Sequence, residues 1–111
     1  EDRTISAACN PYLALAAYVM AGLDGINKKM EPGEPNLGNM YERSLAEIRA
    51  KGIKLLPQSL WEALEELRQD EVIKGALGPI ADEFIELKTR EWQTYDQQVT
   101  PWEINEYLTF F

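Results

Sequence analysis

The chain has 111 residues, 45% of them hydrophobic and 27% charged, with a formal net charge of −8. That suits one small soluble domain or a piece of a larger one, and it argues against nucleic acid or an anionic membrane as partner, since both call for a basic surface. A single cysteine rules out an internal disulfide, and the absence of histidine removes the commonest neutral-pH general base and a favourite metal ligand.

The charge is uneven. Residues 1–57 hold seven acidic and seven basic side chains, and residues 58–111 hold twelve and four, so the surplus lies in the second half. The chain opens on "EDR" with no basic, apolar leader, which points to a cytoplasmic protein, and it lacks an initiator methionine, as expected of a piece of a longer or processed chain.

"EDRTIS" reads as the end of a strand or a short loop, within a connector over 1–9. "NP" reads as an N-cap followed by proline at the first helical position. It opens "YLALAAYVMAGLDGINKK", where Leu13, Ala16, Ala17, Met20 and Leu23 form a helical stripe. The apolar run from Pro11 to Asp24 falls short of the roughly 20 residues a membrane span needs. A buried helix is expected over 10–30, with Gly22 and Gly25 letting a neighbouring backbone come close.

Residues 31–58 read as loop-rich, since "MEPGEPNLGNMY" is turn material. "ERSLAEIRAKG" holds a short helix closed by Gly52, and "IKLLP" is a connector or a minor strand. A helical tail follows over 59–111. "SLWE" is a capping box with Ser59 as N-cap and Glu62 at N3, and Leu60, Leu64 and Leu67 mark one apolar face. Asp70 caps "EVIKGAL", and Gly78 with Pro79 breaks and restarts the chain. The longest helical signal then carries Ile80, Phe84, Leu87, Trp92, Tyr95 and Val99 at spacings of mostly three to four. "TPWE" caps a last short helix through Thr100, Pro101 and Glu103, with Ile104, Tyr107 and Leu108 on its apolar side.

Few constellations carry chemistry. Glu1 and Arg3 would share one side of a strand, and a metal-binding carboxylate beside a phosphate-binding cation is a workable pair. A solvated terminus is the plainer reading of "ExR" alone. Asp24 between glycines reads as helix termination or tight packing before a ligand loop. Cys9, with no histidine to activate it, reads as a buried structural thiol. Glu62, Glu65, Glu66, Asp82, Glu83 and Glu86 read as a solvated face. Trp61, Trp92, Trp102, Tyr95 and Tyr107 read as core or interface, since no basic residues interleave them as base stacking would require. These residues describe a mainly α, acidic chain without a self-contained active site.

"ExR" followed by "NPYLALAAYVMAGLDGI", and then by "NKKMEPGEPNLGNMY", "SLWEALEEL" and "LKTREWQTYDQQVTPWEINEYL", resembles the C-terminal part of the catalytic region of bacterial-type glutamine synthetases. The resemblance covers essentially all 111 residues. It implies a helical subdomain of a larger α+β catalytic domain. It implies part of an ATP-dependent ligase that joins ammonia to the γ-carboxylate of glutamate through a γ-glutamyl phosphate. Glutamate–amine ligases of the same superfamily, using methylamine or polyamines, are the alternative. Beside both stands a helical interaction or regulatory domain without catalysis.

By the same resemblance, Glu1 is a ligand to a catalytic Mg2+ or Mn2+, and Arg3 is the catalytic and ATP-binding arginine that contacts the transferred phosphate. Residues 10–26 match the helix that braces this strand. Tyr41 matches the tyrosine adenylylated in some regulated members, but its neighbours differ, so an exposed or interface tyrosine is expected before modification. Ser6 stands where many relatives carry aspartate. The other metal glutamates, the nucleotide-binding residues and the amine pocket lie outside this stretch. Alone it is expected to be inactive, with the remainder of the catalytic chain as its partner and a double-ringed homo-oligomer as the complete enzyme.

Overall fold

The computed structural model describes residues 4–110. Its order is α1 (Pro11–Asn27), a 3-10 turn (Met40–Glu42), α2 (Leu45–Ala50), α3 (Leu60–Gln69), α4 (Glu71–Leu77), a 3-10 turn (Gly78–Ile80), α5 (Ala81–Asp96), α6 (Pro101–Tyr107) and a last 3-10 turn (Leu108–Phe110). No strand occurs among the described residues, so "IKLLP" is a connector. The strand expected at Glu1 and Arg3 lies outside them.

Local capping chemistry sets most helix starts. Asn10 Oδ1 accepts the Tyr12 and Leu13 N–H groups, and Pro11 fills the first position of α1. Asp70 Oδ1 accepts from Val72 and Ile73, both at 3.0 Å. Thr100 and Glu103 form the reciprocal capping box expected of them, as do Ser44 and Glu47 at α2. The box expected at α3 closes on one side only. Ser59 Oγ accepts the Glu62 N–H, while Glu62 Oε2 takes the N–H of Gln58, one residue early, at 2.7 Å. Each cap satisfies N–H groups that the first helical turn leaves without carbonyl partners.

Two helix ends show the same hydrogen-bond pattern with different residues. At α2, Gly52 takes φ +70°, its N–H reaches the Arg49 carbonyl at 2.9 Å, and Ile53 N–H reaches Ile48 at 3.2 Å. At α1, Lys29 takes φ +51°, its N–H reaches Ile26 at 3.1 Å, and Met30 N–H reaches Gly25 at 2.9 Å. Both are Schellman ends, but Lys29 holds a left-handed backbone without glycine's freedom.

The core is small. Leu64 of α3 is 2% exposed, and Ile48 and Ala81 are the other buried apolar residues among those described. Leu60 and Leu67 flank Leu64 half-buried, as their spacing predicts. α3, α4 and α5 pack on one another around this line, and α1 lies against α4. α6 packs on the turn that comes after it.

The expected burial of the 10–30 helix is not met within this chain. No residue of α1 is buried, and Tyr12, Leu15, Val19, Leu23 and Ile26 are exposed. One seven-residue partner helix covers only a strip of a 17-residue one, and that strip holds half-buried Leu13, Ala16 and Ala17. The close approach expected at Gly22 and Gly25 is also absent, because a Cβ at either would meet nothing within 4 Å. At 17 residues α1 is one longer than α5, the stronger signal in sequence. The α5 stripe is only partly covered: Phe84 and Trp92 are half-buried, while Leu87, Tyr95 and Val99 are exposed.

These gaps add up. The accessible surface is 9780 Å², against roughly 6,200 Å² for a compact monomer of this mass. The radius of gyration is 18.2 Å, where a closed domain of this length gives about 13 Å.

Candidate functional site

Glu1 and Arg3, the residues to which the resemblance gives chemistry, lie outside the described residues. Ser6 Oγ accepts the Ala8 N–H at 3.2 Å and the Ser6 carbonyl accepts the Cys9 N–H at 3.1 Å, closing a tight turn. Asn10 caps α1 directly afterwards. Cys9 is exposed, not the buried thiol expected of it, since no described element covers the exposed stretch from Ser6 to Asn10. Asp24 is part of α1 rather than a loop, and it accepts from Lys28 Nζ at 2.8 Å.

Tyr41 is fully exposed on the 3-10 turn Met40–Glu42. The turn is braced by its own side chains: Asn39 Oδ1 accepts the Tyr41 N–H at 3.1 Å, and Asn39 Nδ2 donates to Glu42 Oε1 at 2.8 Å.

Among the described residues no group of three or more cysteine, aspartate or glutamate side chains gathers to hold a metal ion. The acidic residues of α3 and α5 point outward as expected, apart from half-buried Glu65, which takes Arg68. The described residues by themselves therefore offer no ligand cluster for the divalent cations that the resemblance implies.

Among the described residues three titratable groups are shifted, each through a local hydrogen bond. Hydrogen bonds from the Ser44 hydroxyl and then its backbone N–H hold the Glu47 carboxyl below its ordinary value. The Thr100 backbone N–H and then its hydroxyl do the same for Glu103. The hydrogen bond to Glu71 raises Lys74.

One constellation has no counterpart in the sequence pattern. Arg68 of α3 donates to Glu65 and, at 2.7 Å, to Thr89 Oγ1 of α5, which in turn donates to the Ile85 carbonyl. The Arg68 guanidinium also lies 5.3 Å from the centre of the Trp61 ring. A 450 Å³ groove beside it is lined by Arg68, Lys74 and Arg90 together with Asp82 and Glu86, and Arg90 pairs with Glu86 at 3.8 Å. The charges largely cancel, so the arrangement ties two helices and makes no anion site. The pairing spans 21 residues in sequence, and no local spacing announces it.

Comparison with known proteins accounts for a helical piece without a complete site. The family model described as glutamine synthetase, catalytic domain, matches residues 1–107. A glutamate–methylamine ligase of Methyloversatilis universalis is 52% identical over all of this chain and 25% of its own length. Glutamine synthetases of Archaeoglobus fulgidus and Methanococcus voltae are 45% and 47% identical over 97% of this chain, and over 22% and 24% of their own lengths. A solved structure described as apo GmaS without ligand superposes with a TM-score of 0.78 at 40% identity, over 91% of this chain and 23% of that one. The chain thus spans about a quarter of the relatives it matches, and the described helices are a helical subdomain of a larger α+β fold. With a family model matched from the first residue to Tyr107, the chain belongs to the glutamine synthetase catalytic-domain family.

Proposed function

We propose that this chain is the C-terminal helical part of an ATP-dependent glutamate–amine ligase, with methylamine as the amine. The observation that carries the choice of amine is the 52% identity to a glutamate–methylamine ligase over the whole chain, against 45% and 47% for glutamine synthetases. This moves the preference away from ammonia, the amine that the family resemblance put first. Ammonia stays as the second reading, favoured by those glutamine synthetase relatives.

In this reading ATP phosphorylates the γ-carboxylate of glutamate. The amine nitrogen then attacks the acyl carbon, phosphate leaves with the C–O bonding pair, and the nitrogen gives up a proton to yield the amide. Arg3 contributes its guanidinium to the charge on the transferring phosphoryl group. Glu1 contributes a carboxylate to the divalent cation, whose other ligands belong to the rest of the catalytic chain. Residues 4–110 contribute placement. Surface in excess of a compact monomer's by roughly half supports the remaining catalytic chain as a partner, and a double-ringed homo-oligomer belongs to this reading through the family resemblance alone. None of the described helices is long and apolar enough to cross a membrane, and a cytoplasmic setting goes with that reading.

The test is amide formation by the full parent chain with ATP, glutamate and either methylamine, ammonia or a polyamine. A higher kcat/KM with methylamine is expected. Preference for ammonia would turn the assignment to glutamine synthetase, and inactivity with every amine would defeat the ligase reading.

A further inference from the structure

We draw no further inference here: the strongest candidate, the apolar face of α1 formed by Tyr12, Leu15, Val19 and Ile26, is uncovered in a chain that spans about a quarter of its relatives, and nothing in the structure shows what covers it.

Discussion

The α3–α4–α5 cluster and the α1 helix divide the molecule's apolar residues very differently. The cluster concentrates its burial on one line through Leu64 and adds a cross-helix hydrogen bond from Arg68 to Thr89. α1 is the more hydrophobic sequence, yet it leaves Tyr12, Leu15, Val19 and Ile26 at 52% exposure or more. Hydrophobicity decides that a helix will be buried somewhere; it does not decide that the partner lies within the same stretch of chain. The amphipathic α3 can satisfy its single stripe locally, whereas α1, apolar on most of its circumference, needs neighbours on several sides.

That contrast can be broken most directly by truncating one leucine from each region. Leu64→Ala should destabilise the protein by about 3 kcal/mol through lost burial and the cavity left behind. Leu15→Ala should change the stability of this chain by less than about 0.5 kcal/mol. Chemical denaturation of the two variants side by side measures both, and equal losses would erase the distinction between the regions.

Thr89→Val probes the polar tie within the cluster. It keeps the shape but removes the acceptor for Arg68, and because that arginine is partly solvated the expected loss is about 1 kcal/mol in midpoint stability. A smaller change in the opposite direction is expected at the end of α1. Lys29→Gly relieves a left-handed backbone and should gain about 0.5 kcal/mol, the relief being partly offset by the greater freedom of glycine in the unfolded chain.

The smallest effect concerns the capping boxes of α2 and α6. Glu47 and Glu103 sit below their ordinary value of 4.5 when folded. Their contribution is therefore fully present above that value and is lost as pH falls through the depressed folded values. The protection of amides at the first turns of α2 and α6, measured against their intrinsic exchange rate at each pH, should fall in that acidic window before that of the α3–α5 amides. Simultaneous loss everywhere would mean that the boxes do not hold those turns.

Much of the local architecture is legible in the sequence because its causes are local. Asn10 with Pro11, Asp70 and Thr100 with Glu103 announce helix starts through side chains that reach only two or three residues ahead. Gly52 and Gly78 announce helix ends, and Gly78 takes φ 61° and ψ −139°, a region that essentially only glycine enters. Half of the "SLWE" box departs from its expected form for an equally local reason: the Glu62 side chain has two N–H groups within reach and takes that of Gln58. The candidate site is legible only by resemblance. Glu1 and Arg3 lie outside the described residues, and the chain spans only about a quarter of the relatives it matches.

The sequence by itself determined the helical class, most helix starts and the acidic outer faces, because capping, periodicity and charge act over one or two turns. Only the tertiary structure decided that Leu64 would lie at the centre, that Arg68 would reach Thr89 across 21 positions, that Cys9 would be exposed, and that α1 would be left largely uncovered. Those outcomes depend on which helices meet. Meeting is a matter of surface matched between segments distant in the chain, and here most of the surface that α1 presents finds no match among the described residues.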